Sequence, residues 1–292
     1  MIQENANKST PEYLDEINWI NKEVCKNKDE IYCTAGLDYF IINLDGEIFK
    51  CYGYYPDPKY RICTIKDPQF FINYKGSPKC ECMNCNEYCE DYKVEVWKNN
   101  EKIWDALYWR ERINSIDDIN LNNLFLQIDL VRGCFNNCPY CFVGKQNHTS
   151  FINTDNILNF VDTIAPYKKG KKFINISGSG ESLLHPDFEK IINNFTNNGF
   201  YCEIITSGLI FPEKLMKLEN KQLIYLIISY HPCSKNWNFN KIEKLLSMVC
   251  NSNFYKVGSS LVRYKGNLKF RNDLLELNKK FNININEPTY RS

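Results

Sequence analysis

The chain lacks an excess of either charge: 36 Lys and Arg stand against 35 Asp and Glu over 292 residues, for a formal net charge of +1. That balance leaves out the basic footprint by which proteins hold nucleic acid, and it sets up no field toward an anionic membrane surface. Also missing is any run of the roughly 18 apolar residues that spanning a bilayer requires. Met1 to Thr10 is polar and carries no apolar h-region of a secretory signal. The expectation is a cytoplasmic protein with neither nucleic acid nor membrane as partner.

What the chain does have is apolar mass and cysteine. Hydrophobic residues make up 43% and aromatics 14%, ample for a buried core, and the length points to roughly two domains. Fourteen cysteines is a high count for a reducing compartment, where disulfides are rare. Eight lie before residue 90, three share one short loop, and Cys202, Cys233 and Cys250 are scattered. Clustered cysteines in such a chain favour metal or iron–sulfur ligation. The scattered three read as ordinary buried thiols, which pack as small hydrophobes.

The second half alternates strand and helix. Leu124 to Val131 is apolar and bounded by Arg132-Gly133, a buried strand. Ile157, Leu158, Val161 and Ile164 recur at helical spacing, and Pro166 stops that helix. Strand patterns follow at Phe173 to Ser177, Tyr201 to Thr206, Leu223 to Ser229, Phe254 to Val262 and Asn282 to Ile285. Between them run helical stripes: Phe188, Ile191, Ile192 and Phe195; a short helix opened by Pro212; Ile242, Leu245, Leu246 and Val249; and Phe270, Leu274, Leu277 and Phe281. Alternation of this kind predicts parallel βα units with right-handed crossovers. Six units over residues 121–292 are too few for an eight-stranded barrel and fit a partial, open (βα)6 barrel, an α/β fold. Functional loops then belong at the C-terminal ends of the strands.

The loop after the first of these strands is Cys134-Phe135-Asn136-Asn137-Cys138-Pro139-Tyr140-Cys141. Three thiolates at this C-x3-C-x2-C spacing can hold three irons of a 4Fe–4S cube and leave the fourth without a protein ligand. An iron with an open site can bind a substrate or cofactor, so the count of three points to chemistry. With its aromatic before the last cysteine, the motif resembles the signature of the radical S-adenosylmethionine (SAM) superfamily. The resemblance implies that the open iron chelates the amino and carboxylate groups of SAM. It also implies that an electron from the cluster cleaves SAM to methionine and a 5′-deoxyadenosyl radical, which takes hydrogen from a substrate. The core that the family shares is the partial (βα)6 barrel.

One βα unit further on, the second strand ends in Gly178-Ser179-Gly180-Glu181. This resembles the family's Gly-Gly-Glu motif, which grips the methionine ammonium of SAM, with Ser179 in place of the middle Gly. Small residues let backbone approach a ligand, and Glu181 can accept from a cation. By the same resemblance Tyr140 lies beside the adenine, and Ser229 matches the polar residue that bonds the ribose. Thr206 and Ser207 end the third strand and would face the same pocket. For Thr206, Ser207 and Ser229 the plainer reading is a strand-end cap. His231 would point toward the mouth as a substrate contact or proton donor, a weak catalytic candidate against a structural imidazole. His185 reads as structural, and His148 as a residue of a solvated loop.

The first half carries a second cysteine array. Tyr39 to Asn43 and Glu47 to Lys50 read as strands around a turn at Asp45-Gly46, which would bring Cys33 and Cys51 together. Downstream stand Cys80, Cys82, Cys85 and Cys89. The spacing of Cys33, Gly46 and Cys51 resembles the opening of the SPASM or twitch module, the auxiliary-cluster domain of many radical SAM enzymes, though here it precedes the barrel. That resemblance implies one auxiliary 4Fe–4S cluster held by Cys33 and Cys51, with others from Cys82, Cys85 and Cys89. The competing reading is a structural zinc site, which shares the C-x2-C preference. The expected division is residues 1–93 as the module, 94–120 as a helical connector containing Val96, Trp97, Ile103, Trp104, Leu107 and Tyr108, and 121–292 as the barrel.

The resemblance further implies an oxidoreductase-type or peptide-modifying activity, and a low-potential donor, flavodoxin or ferredoxin. The substrate would be a peptide or natural-product precursor; a small sugar or alcohol, or a glycyl-radical enzyme to be activated, stands as the alternative. Two other classes compete. A non-catalytic zinc protein would need a fourth ligand near the three loop cysteines, for which His148 is the nearby choice. A ferredoxin-like electron carrier would not need a βα barrel.

Overall fold

In the computed structural model, the described residues are 31–33, 35–50, 57–76, 95–98, 101–105, 123–141, 148–262 and 264–286. In the first part of the chain they form β1 (Ile31–Cys33), β2 (Tyr39–Ile42), β3 (Glu47–Phe49), β4 (Arg61–Thr64), α1 (Pro68–Asn73), β5 (Glu95–Lys98) and β6 (Glu101–Asp105). Then come β7 (Leu124–Ile128), β8 (Val131–Arg132), β9 (Ser150–Phe151), α2 (Thr154–Ile164), β10 (Lys172–Ile176), α3 (Phe188–Asn197), β11 (Tyr201–Thr206) and α4 (Glu213–Met216). The chain continues through β12 (Ile224–Tyr230), α5 (Phe239–Cys250), β13 (Lys256–Leu261), α6 (Lys265–Leu268), α7 (Arg271–Lys280) and β14 (Ile285–Asn286).

The central feature is a nine-stranded sheet in the order β14-β13-β12-β11-β10-β7-β2-β3-β4. Every pairing from β14 across to β2 is parallel. The β2–β3 and β3–β4 pairings at the far edge are antiparallel. The parallel βα succession expected over residues 121–292 is therefore present, and the fold is α/β. The helix stops act where they were expected. Pro166 lies in the single 3-10 turn Ala165–Tyr167 that ends α2. Asn153 opens the same helix, its side chain accepting from the Asn156 N–H at 2.9 Å, an ordinary N-cap.

One face of the sheet is an apolar core. Leu124, Leu126, Ile128, Ile174, Ile176, Ile204, Leu226 and Ile228 are all essentially inaccessible. They pack beneath Ile157, Phe160, Val161 and Ile164 of α2, Ile191, Ile192 and Phe195 of α3, and Ile242, Leu245 and Val249 of α5. These are the stripes that helical periodicity picks out, except that on α2 Phe160 is buried where Leu158 was expected, and Leu158 is only partly buried.

Two expectations need correction. The hairpin of residues 39–49 exists, with its turn at Asp45-Gly46, but it is not set apart from the barrel. β2 pairs in parallel with β7, Tyr39 opposite Phe125 and Ile42 opposite Ile128. The reason is legible in Tyr39-Phe40-Ile41-Ile42, four consecutive residues each at most 3% exposed. A strand buried on both faces belongs inside a sheet rather than at its rim. α1 completes the addition: Phe71 meets Phe40 at 4.7 Å and Phe160 at 5.2 Å between ring centroids. The second correction concerns the helical connector. Residues 95–98 and 101–105 are strands, paired antiparallel with each other, and β5 pairs also with β1. Trp97, Val96, Ile103 and Trp104 carry the β-propensity of aromatic and branched side chains, and this outweighs their approximate helical spacing. The rest of the connector, Leu107 and Tyr108 included, lies outside the described residues, as do Cys51, Cys80, Cys82, Cys85 and Cys89.

Candidate functional site

The three-cysteine loop is closed at its base by a short ribbon. β8 and β9 pair antiparallel, Val131 with Phe151 and Arg132 with Ser150, so the chain leaves and re-enters the barrel at one place. Within the loop the Cys141 N–H donates to the Cys138 carbonyl at 3.1 Å, and Asn137 takes a left-handed φ of 48°, which Asn tolerates better than most residues. The loop is then tied to the segment after β12. The Lys235 N–H donates to the Asn136 carbonyl at 3.2 Å, and Asn236 Nδ2 to the Phe135 carbonyl at 2.6 Å. Cys134 and Cys138 are half-buried and Cys141 is exposed.

The Gly178–Glu181 loop is stitched to the residue before Cys134. Gly133 and Gly180 form a parallel bridge. The Glu181 N–H donates to the Gly133 carbonyl at 3.0 Å, and the Gly133 N–H to the Ser179 carbonyl at 3.4 Å. This approach explains glycine at position 180, where a Cβ would stand 2.5 Å from the Gly133 oxygen and 2.6 Å from the Val131 oxygen. Two motifs more than forty residues apart in sequence thus share one backbone junction.

Glu181 turns its carboxylate away from solvent, at 4% exposure. Its Oε2 accepts from the Ser207 N–H at 2.9 Å and from Ser207 Oγ at 2.6 Å, and its Oε1 accepts from Thr206 Oγ1. Thr206 and Ser207, expected on the pocket rim, are thus the donors that hold this carboxylate in place. Ser229 lies one strand over, accepting from Ser260 Oγ at 3.2 Å. Tyr140 meets His231: the hydroxyl and Nδ1 are 2.8 Å apart and the rings stack at 6.0 Å. Burial pushes His231 down to about 4, so the imidazole is neutral near pH 7, and burial likewise raises the Tyr140 phenol. His185 is wholly buried, its Nε2 bonded to the Ile152 carbonyl and its Nδ1 accepting from the Asp187 N–H. That is the structural imidazole expected. His148 is exposed.

Several groups here escaped the sequence reading. Asp129, directly after β7, is buried and accepts from Ser179 Oγ at 3.0 Å. Asn136 inside the cysteine loop is 2% exposed, and its Oδ1 has no partner among the described residues. Tyr264 packs on Tyr140 at 5.0 Å. Below the loops, the inner face of the sheet carries a polar chain. Tyr39 donates to Gln127 at 2.8 Å, Gln127 to Ser177 at 3.2 Å, Ser177 to Asn175, and Asn175 to Glu203. Polar residues alternating with apolar ones along β7, β10 and β11 signal this face, but which of them meet depends on strand register.

The donor set suits an iron–sulfur group. Cys134 and Cys138 are pushed up to about 11 and about 12, first by burial and then by neighbouring negative charge. That charge comes from Glu181 and Cys141 on Cys134, and from Cys134 and Cys141 on Cys138. Without metal Cys134 and Cys138 thus hold their protons near pH 7, and ligation would release them. Among the described residues no three His, Cys, Asp or Glu side chains converge to hold a single ion. A cube asks less convergence of its ligands, since each thiolate meets a different iron.

Residues 128–242 match the family model described as the Radical SAM superfamily. This stretch is a radical SAM domain. Its family implies a 4Fe–4S cluster and SAM as cofactors, and the cysteine loop and the Gly178–Glu181 loop both fall within the matched residues. Solved structures similar to the radical SAM domain and its surroundings include anSMEcpe with bound AdoMet, at 15% identity and a TM-score of 0.48 over 57% of this chain and 52% of that one. Streptococcus suis SuiB bound to precursor peptide SuiA is similar at 14% identity and a TM-score of 0.47, over 57% of this chain and 39% of that one. Spore photoproduct lyase follows at 13% identity and 0.43, over 53% and 57%. The chain therefore spans about half the length of the first of these. No protein of curated function matches it by sequence. No helix among the described residues is long and apolar enough to cross a membrane.

Proposed function

We propose that this chain is a radical SAM enzyme whose Cys134, Cys138 and Cys141 hold a 4Fe–4S cluster and whose Gly178–Glu181 loop binds SAM. The observation that supports this reading is the junction of Gly133 with Gly180, which sets the cysteine loop and the Gly178–Glu181 loop side by side at the C-terminal ends of adjacent parallel strands. When bound, the cluster would supply the electron that cleaves SAM to a 5′-deoxyadenosyl radical.

The protein's own residues do the positioning. Glu181 is held by Thr206 and Ser207, so its negative charge is fixed rather than free to rotate, and a fixed carboxylate meets an ammonium with little reorganisation. Gly180 lets this loop lie against the backbone of Gly133, and Ser179 ties it to Asp129. Tyr140, held by neutral His231 and packed by Tyr264, offers a rigid aromatic wall beside Cys141. His231 serves there by orienting Tyr140, and we assign it no proton transfer.

The proposal extends to the first half of the chain. Cys33, the last residue of β1, with Cys51, Cys82, Cys85 and Cys89, would hold an auxiliary 4Fe–4S cluster. A flavodoxin or ferredoxin would deliver electrons, and the substrate would be a peptide, as the resemblance to the SPASM or twitch module favours. The test is anaerobic: reconstituted protein, reduced with dithionite and given SAM, should release 5′-deoxyadenosine. The triple substitution of Cys134, Cys138 and Cys141 to Ala should abolish release while the barrel stays folded by circular dichroism. Release at the wild-type rate from that variant sinks the assignment.

A further inference from the structure

Asp129 is a buried ionisable group to which the proposed chemistry gives no role. It follows β7 at the mouth of the sheet, is 5% exposed, and donates its backbone N–H to the Ile42 carbonyl at 3.0 Å. One carboxylate oxygen, Oδ2, accepts from Ser179 Oγ at 3.0 Å. The other, Oδ1, is buried with no hydrogen-bond partner among the described residues, although Arg132 acts on the carboxylate through its charge. It presses on the backbone of the neighbouring loop, for a Cβ on Gly178 would stand 1.7 Å from it, and Gly178 has a φ of 139°, which favours glycine. A buried carboxylate with an unmet oxygen is costly to keep, and packing alone would be served better by an apolar side chain.

We propose that Asp129 is a positioning residue for the SAM loop. By accepting the Ser179 hydroxyl it fixes the backbone from Gly178 to Glu181, and thereby the place from which that loop meets SAM. The pairing accounts for three sequence features at once. Position 178 is glycine because Asp129 occupies the space of a side chain. Position 179 tolerates serine because the hydroxyl is turned toward Asp129. Position 129 carries a side-chain oxygen because it must accept from Ser179. The inference rests on the radical SAM reading of this loop and adds to it a residue from a different strand.

The experiment measures SAM affinity by equilibrium dialysis on reconstituted wild type, Asp129→Ala, Asp129→Asn, Ser179→Ala and the Asp129→Ala/Ser179→Ala double variant. Iron content and circular dichroism serve as controls. Ser179→Ala and Asp129→Ala should each weaken SAM binding by about tenfold, and the double variant by about the same tenfold, since both remove one hydrogen bond. Asp129→Asn keeps an acceptor for Ser179 and should bind within about threefold of wild type. Amide hydrogen exchange at residues 178–181 in SAM-free protein should quicken in both Ala variants and not in Asp129→Asn, a readout that does not depend on the cofactor. The proposal is overturned if Ser179→Ala, the mildest change, leaves affinity and exchange untouched, or if the two losses multiply to about a hundredfold. It is equally overturned if Asp129→Asn is as weak as Asp129→Ala, which would assign the effect to charge. Wild type that binds no SAM yet shows the exchange pattern retains the Asp129–Ser179 contact and overturns the cofactor reading instead.

Discussion

Leu126 and Gln127 are neighbours on β7 and both are buried, at 0% and 9%, yet they face opposite demands. Leu126 points into the layer of α2, α3 and α5 with the rest of the apolar core. Gln127 points into the sheet's inner face, where Tyr39 and Ser177 hold it. The same alternation repeats at Ile174 and Asn175 on β10, and at Cys202 and Glu203 on β11. The outer face is non-directional: any set of side chains of about the right volume fills it. The inner face is directional, because each buried donor there needs its acceptor. What the difference teaches is that the outer face makes the fold, while the inner face and the loops above it are where strand register becomes chemistry.

The sharpest way to break this comparison is in the outer layer. Phe160→Ala should cost about 3–5 kcal/mol of stability, read by urea denaturation, while 5′-deoxyadenosine release per folded molecule stays near wild type. A loss of release in protein that remains folded would mean that the two faces are not separable.

Next in size is the pH response at Asp129, measured on metal-free protein. Burial raises this carboxyl to about 6, against the opposing pull of Ser179 and Arg132. The folded state therefore holds a proton that the unfolded state has released, and stability from this group falls as pH rises between about 4 and about 6. His231, lowered to about 4 by burial, acts in the opposite sense, since the unfolded chain protonates first as pH falls below about 6.5. The comparison to make is thus Asp129→Asn against wild type. The variant's relative stability should grow by up to about 3 kcal/mol from pH 4 to pH 7, and a flat difference would show that Asp129 does not titrate where its burial places it.

The smallest effect is expected on the inner face. Asn175→Leu removes the hydrogen bonds that Asn175 makes with Ser177 and Glu203, at about 1–3 kcal/mol. It should lower SAM-dependent turnover as well, because Ser177 directly precedes the Gly178–Glu181 loop proposed to bind SAM. Retained turnover with lost stability would reduce the inner chain to scaffold.

Much of the barrel was legible because its signals are local. Tyr201 to Thr206 runs between Gly199 and a polar turn and is a strand over those same residues. The stripe of Ile242, Leu245, Leu246 and Val249 is the buried face of α5. The cysteine loop and the Gly178–Glu181 loop were legible from spacing and resemblance. Their junction at Gly133 was not, because it depends on how β7 and β10 lie side by side. Asp129 was hidden for the same reason: a single acid after an apolar run has no periodic signal, and its partner Ser179 is fifty residues away. The pairing of β2 with β7 was readable in the unbroken apolar run Tyr39-Phe40-Ile41-Ile42, but the strong turn at Asp45-Gly46 drew the reading toward a separate hairpin. At β5 and β6, short segments with aromatic residues satisfied a helical and a strand pattern alike, and pairing with β1 decided between them.

The central claim is that the cysteine loop and the Gly178–Glu181 loop form one cofactor site. The most direct measurement is the EPR spectrum of the reduced, anaerobically reconstituted protein before and after SAM, with iron, sulfide and zinc counted on the same sample. The loop cysteines should account for about four irons, lost in the triple Cys134, Cys138 and Cys141 variant while those of the proposed auxiliary cluster stay, and the signal should shift when SAM is added. Zinc in place of iron, or a cluster signal indifferent to SAM, would contradict that claim.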